Sequence, residues 1–337
     1  MHVATASLQS LTEFLTVRRW IPPASRVTDR VPLGEGRRTA TLRVTTDTGT
    51  SCILRQQGTS PGNHTRRAMP PADRLAVEGE FYRLVQARTA VVDRMPACLG
   101  VDRTERIVAL EDLGDVTSLD DLDAKRVLGE DDATDLTAYL VALHAVEVGE
   151  EDFGPLPTDG VRLTRHADRF EEPIAASRVE ALATRVPRLE RHVDLFRTDL
   201  HIRATMRDLG SRFLEGRGGL LHGDFRPRRW VRSARGLRVL APGYACAGPA
   251  ALDVGFFVAH LLLAGQPHAV VCGVLHRYRR DASIDLGEVS ACVGLEIVRG
   301  RLGRHPVPGE PSADRVDAEL EYAARLLRGR ATVELPL

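Results

Sequence analysis

Short β-branched runs fill the first third of this chain and long helical patterns fill the rest, and that order limits the architectures open to it. RVTDRVPLGEG, TATLRVTT and TSCILRQQ read as three strands between Arg26 and Gln57. Asp47-Thr48-Gly49 separates the last two as a hairpin turn would. MPACLGVD and RIVALEDL read as two more strands. Ser7–Arg18 and Ala72–Ala87 carry apolar residues at helical spacing: Leu8, Leu11, Phe14 and Leu15 in one, Leu75, Phe81, Tyr82 and Val85 in the other. GTSPGNHTRRAMPP, between the third strand and the second helix, reads as an exposed, mobile loop. After Gly114 the pattern predicts helices over 131–148, 161–183, 189–215, 250–263, 268–279, 287–302 and 312–330. The last starts at Ser312, with Asp314 in its first turn. RWVRS and LRVLA make a small hairpin among these helices. The expectation is an α+β fold in two lobes, a small antiparallel-sheet lobe over 1–113 and a larger, mainly helical lobe over 114–337, with the ligand site in the cleft between them.

Bulk composition narrows the partners. Acidic and basic residues balance at 46 each, so no net field recruits nucleic acid or an anionic membrane. No apolar run reaches the length of a spanning helix. The five cysteines are scattered and odd in number, which argues against a zinc site or a disulfide framework and for a reducing cytoplasm. The N-terminus has no basic segment leading into an apolar core, so no signal peptide is expected. Lys125 is the only lysine, so chemistry that needs a lysine elsewhere must use arginine.

Four places hold residues with chemical potential. Gly34 and Gly36, in Leu33-Gly34-Glu35-Gly36-Arg37, allow backbone N–H groups to approach phosphates, although a hairpin alone also uses two glycines. Thr39 replaces the third glycine of a dinucleotide fingerprint and no helix follows, which excludes that motif. Arg55 on the third strand and Glu78 on the next helix can orient nucleotide phosphates; from the residues alone, an exposed ion pair or no pair is the simpler expectation. Asp224, in His222-Gly223-Asp224, can orient an acceptor hydroxyl and take its proton. Asp253 opens an apolar helix and reads as a buried acid capping backbone N–H groups.

In order and spacing these pieces resemble the aminoglycoside phosphotransferase and choline kinase superfamily, which has the protein-kinase-like fold, and within it the methylthioribose kinases. LGEG resembles the family's glycine loop, CILRQ its lysine strand and RLAVEGEF the helix carrying the glutamate partner. IVALEDLG, which contains Glu111, resembles its hinge, and LLHGDFRP its catalytic loop. AGPAALDVGFFVAHLLL and GLEIVRGRLGRH resemble two later segments. The resemblance implies Asp224 as the catalytic residue. It assigns Gly34, Gly36, Arg55, Glu78, Glu111 and Arg229 to nucleotide or anion binding, and His222 and Asp253 to structural support.

The departures fall where the family binds metal. The strand lysine is Arg55, the metal ligand of the catalytic loop is Arg229, the metal-binding aspartate is Ala241, and the acid two residues on is Gly243. A paired arginine of the late helix becomes Arg299-Gly300. Relative to the family, asparagine to arginine and aspartate to alanine together shift the site by the +2 that Mg²⁺ would carry. Arg226, Arg228 and Arg229 lie close together here, and guanidinium groups bind phosphate or carboxylate in pairs of hydrogen bonds. A solvated surface turn is the other reading of the same residues.

Three functions follow: a pseudokinase that binds a nucleotide, another anion or a protein partner; an active phosphotransferase using Asp224 on a small-molecule hydroxyl or a peptide Ser/Thr; or a different reaction, including a subunit role in a biosynthetic complex. ATP, with or without Mg²⁺, is the implied cofactor, a small molecule or peptide the implied ligand, and nucleic acid and membrane are not expected partners.

Overall fold

The computed structural model describes residues 1–36, 39–57, 73–122, 126–149, 158–171, 173, 175, 189–303 and 311–333. The loop expected after the third strand, Lys125, and most of residues 172–188, where a helix continuation was expected, lie outside the described residues.

The chain opens with α1 (Leu8–Val17), whose N-terminal Ser7 accepts from the Ser10 N–H. Strands β1 (Val27–Gly36), β2 (Thr39–Thr46) and β3 (Ser51–Gln57) follow. Then come α2 (Arg74–Val85), the single turn α3 (Thr89–Val92), β4 (Cys98–Asp102) and β5 (Ile107–Glu111). The five strands form one antiparallel sheet in the order β1-β2-β3-β5-β4. Side chains alternate across it. Leu42, Val44, Cys52, Leu54, Ile107 and Ala109 form one buried cluster with Leu11 and Leu15 of α1. Val108 and Leu110, out of phase with those, join α2 in the main core. This alternation decides where Arg55 goes: Leu54 and Gln56 face α1, so Arg55 must face α2.

The second part contains β6 (Thr117–Ser118), α4 (Glu130–His144), α5 (Thr158–His166) with a π-turn at Ala167–Glu171, α6 (Glu190–Thr198) and α7 (Leu200–Glu215). Next come β7 (Gly219–Leu221), a 3₁₀ turn at Pro227–Arg229, β8 (Trp230–Ser233), β9 (Gly236–Val239) and β10 (Cys246–Gly248). Four helices close the chain: α8 (Ala251–Leu263), α9 (His268–Asp281), α10 (Leu286–Leu302) and α11 (Ala313–Leu327). The helix expected over 189–215 is two helices. Asp199 takes an extended backbone, with φ −67° and ψ 117°, and its carboxylate accepts from Ile202 N–H, so it ends α6 and starts α7. The hairpin expected around Arg229–Ala241 is β8–β9, and β8 also pairs with β6.

α8 is buried almost all round and packs against α10. Phe225, at the end of the His222–Asp224 loop, stacks on Tyr139 and meets Trp230 and Phe257 edge-on or tilted at ring-centre distances of 5.1–5.8 Å. These aromatic contacts anchor the loop to the helical core. The result is a bilobal protein-kinase-like fold, a small antiparallel sheet followed by a larger helical part. No helix among the described residues is long and apolar enough to cross a membrane.

Candidate functional site

The His222–Asp224 loop is fixed from behind by a buried carboxylate. Asp253 Oδ2 accepts from the His222 N–H at 2.6 Å and Oδ1 from the Gly223 N–H at 3.1 Å. Asp253 therefore caps backbone N–H groups of the loop, whereas its own helix has no side-chain cap. His144 lies 3.5 Å from the same carboxylate and bonds Tyr278 through its other nitrogen. Burial alone would raise the Asp253 pKa; hydrogen bonding and charge from His144 and His222 outweigh it and hold the group below its usual value.

His222 fixes the loop a second time. Its Nδ1 accepts from the Asp224 N–H at 3.2 Å and its Nε2 donates to Leu240 O at 3.1 Å, so the neutral ring carries its proton on Nε2. Burial brings its pKa down to about 4. Gly223 lies between these anchors with φ +73°, and a Cβ there would stand 2.0 Å from Tyr244 O, so only glycine fits.

Arginines surround the other end of the loop. Asp224 Oδ2 accepts from Arg229 Nε at 2.9 Å and Nη2 at 2.7 Å, and from Arg226 Nη2 at 3.3 Å. Oδ1 accepts from Arg165 Nη2 at 3.1 Å, Arg226 Nε stands 2.9 Å from it, and Arg228 lies 3.8 Å from Oδ2. The acid is 3% exposed. Burial pushes its pKa up, but Arg226, Arg165, Arg229 and Arg228 together hold it well below the carboxylate range.

Arg165 and the buried Arg169 also donate to Gly223 O, at 2.8 and 2.6 Å. Both come from α5 and its π-turn, which sequence reasoning did not connect with the loop. The signal available was the spacing Arg162, Arg165, Arg169, which puts guanidinium groups on one face of a helix.

On the sheet side, Arg55 Nη1 contacts both oxygens of Glu78. The glutamate is fully buried, so the pair is neither absent nor exposed, contrary to the simpler expectation from the residues. Glu78 also favours the charged form of Arg229. Gly34 and Gly36 lie within β1, opposite Thr41 and Thr39 of β2. Glu111, at the end of β5, accepts from the Ala97 N–H at 3.1 Å and pairs with Arg235 in the turn of the β8–β9 hairpin.

The positions that the resemblance assigns to metal, Arg229, Ala241 and Gly243, offer Mg²⁺ no side-chain oxygen. Arg229 places its guanidinium on Asp224 itself. Space is also closed at Gly243, because a Cβ there would stand 2.9 Å from Arg74 O at the start of α2. Arg74 further donates to Tyr244 OH at 2.8 Å. Among the described residues no group of three His, Cys, Asp or Glu side chains could hold a metal ion.

Comparisons with known proteins bear on the family and the fold. The model of the phosphotransferase enzyme family matches residues 29–292. A methylthioribose kinase from Exiguobacterium sibiricum is 35% identical over 79 residues, 23% of this chain; the match spans only 20% of that kinase. In structure, the chain is similar to choline kinase LicA from Streptococcus pneumoniae, with a TM-score of 0.54 at 15% identity over 94% of this chain and 97% of the other. It is also similar to a spectinomycin phosphotransferase solved with ADP and spectinomycin, with a TM-score of 0.53 at 11% identity over 96% and 98%. At such identities the structural matches speak for the fold, and the family match covers most of the chain. The chain belongs to the phosphotransferase enzyme family.

Proposed function

We propose that this protein is a pseudokinase, a phosphotransferase fold that binds an anionic ligand without Mg²⁺ and does not transfer phosphate efficiently. One observation carries the reading: the Asp224 carboxylate is engaged on both oxygens by Arg165, Arg226 and Arg229. An ionised carboxylate has about four lone-pair sites; Oδ2 accepts three guanidinium N–H groups and Oδ1 accepts one. A general base works best with a pKa near the operating pH, and Asp224 is held far below it. Its role in this reading is that of counter-ion to the guanidinium groups.

An active phosphotransferase is the second reading, and the buried Arg55–Glu78 pair supports it, because the resemblance assigns that pair to orienting phosphate. It requires the arginines to leave Asp224 when substrate arrives. Calorimetry with ATP, with and without Mg²⁺, together with a phosphate-release assay, separates the two. The pseudokinase reading predicts binding that Mg²⁺ does not strengthen and no turnover above background. Mg²⁺-dependent tight binding with turnover contradicts it.

A further inference from the structure

Six arginines meet at the front of the loop: Arg165 and Arg169 from α5 and its π-turn, Arg226, Arg228 and Arg229 from the loop itself, and Arg299 from α10. Two buried carboxylates face them. Asp224 is described above. Glu296 accepts from Arg299 Nε and Nη2 at 2.7 and 2.5 Å and lies 3.0 Å from His260. Glu78, buried and also acting on Arg229, is matched by its own partner Arg55, so seven cations against three buried anions leave four positive charges; the acids that act on the rim, Asp120 on Arg228 and Asp168 on Arg299, are both exposed. Three of the guanidinium groups also keep a buried Nε–H without an acceptor: Arg165, Arg169 and Arg226. The Arg226 Nε is close to Asp224 Oδ1, but its N–H does not point along that contact.

Unpaired buried charge and unmet buried donors are both costly, and native structures seldom keep either without a partner. We propose that this cluster is a receptor for a phosphate monoester carried by a small molecule that arrives already phosphorylated. The inference rests on the reading of Asp224 as a counter-ion and adds the class of ligand. A phosphate monoester is a dianion near neutral pH and offers three oxygens, which suits donors converging from three segments of chain. A single carboxylate supplies half that charge and two oxygens in one plane. Burial, and then the neighbouring Arg165, bring the Arg169 pKa down to about 9, the direction expected of a cation that lacks a counter-ion. Entry is available at Arg228, whose side chain is 46% exposed. No bond forms or breaks on binding.

The test is thermal denaturation and calorimetry at matched ionic strength with inorganic phosphate, methyl phosphate, succinate and chloride. Phosphate and methyl phosphate should bind and raise the unfolding temperature, with succinate weaker and chloride without effect. Arg169→Gln and Arg226→Gln should each weaken phosphate binding about tenfold, the worth of one charge-assisted hydrogen bond. Arg228→Gln, on the rim, gives the same binding readout should a buried variant fail to fold. Equal effects of chloride and phosphate, a preference for succinate, or unchanged phosphate binding in the variants would each overturn the proposal. Measuring Mg²⁺-dependent ATP turnover in the same preparations keeps the outcomes apart. Turnover contradicts the pseudokinase reading, whereas absent phosphate binding without turnover contradicts this proposal alone.

Discussion

Asp253 and Asp224 are both buried, both held below the usual carboxylate range, and both bound to the same three-residue loop. Their partners differ in kind. Asp253 accepts from two backbone N–H groups and a neighbouring histidine, groups whose positions are set by the fold. Asp224 accepts from guanidinium groups on long side chains rooted in two separate segments. The first arrangement fixes the path of the main chain. The second neutralises charge, and side chains alone define it. The back of the loop can therefore keep the geometry of a phosphotransferase while its front binds something other than a metal.

The largest effect expected from this comparison is at the back. Asp253→Ala leaves the His222 and Gly223 N–H groups buried without acceptors, at a cost of about 3–5 kcal/mol in urea denaturation. A near-neutral result would break the distinction between the two acids.

Acid sensitivity comes next. His222 has a folded-state pKa of about 4 against about 6.5 unfolded, so between those values the unfolded chain takes up a proton that the folded one refuses. Its contribution is complete above about pH 6.5 and is lost as the pH falls toward 4, roughly 3 kcal/mol in all. Asp224, Asp253 and Glu296, all depressed in the folded state, act lower on the scale, from about pH 5 downward: their contribution is present above the unfolded carboxylate range and is lost as the pH falls through their folded pKa values. His222→Gln should flatten the stability profile between pH 6.5 and 4 and leave the lower limb in place. An unchanged upper limb would show that His222 does not carry it.

The smallest effect sharpens the comparison at the front. Ala241 has φ +58°, a left-handed conformation that aspartate tolerates better than alanine. Arg229→Asn combined with Ala241→Asp gives up the Arg229–Asp224 bonds but places aspartate in a backbone conformation that it adopts more readily than alanine. It should make ATP binding depend on Mg²⁺ where the parent's does not. If the double variant stays indifferent to Mg²⁺, then the closed space at Gly243, rather than the missing ligand charge, controls the site.

The strand and helix pattern was largely legible because local periodicity carries it, as the turn at Asp47–Gly49 and the helix starting at Ser312 illustrate. The break at Asp199 was not, because apolar spacing continues across it and only the capping carboxylate interrupts the helix. Within the site, the residues alone favoured an exposed Arg55–Glu78 pair or none; the alternation of Leu54, Arg55 and Gln56 explains the face that Arg55 takes only once the sheet is formed, and the burial of the pair depends on how α2 packs. Arg165 and Arg169 were hidden for a different reason. They reach Gly223 across 58 and 54 residues of chain, and no spacing rule carries that distance. The closure at Gly243 was not legible either, because it depends on where α2 begins.

The central claim, that Asp224 is a counter-ion and not a base, is tested most directly by Asp224→Asn with stability and Mg·ATP turnover measured together. The account predicts a loss of about 3 kcal/mol, because several arginines are left without their anion, and no change in turnover from background. A variant of unchanged or greater stability that loses Mg²⁺-dependent turnover present in the parent would contradict it.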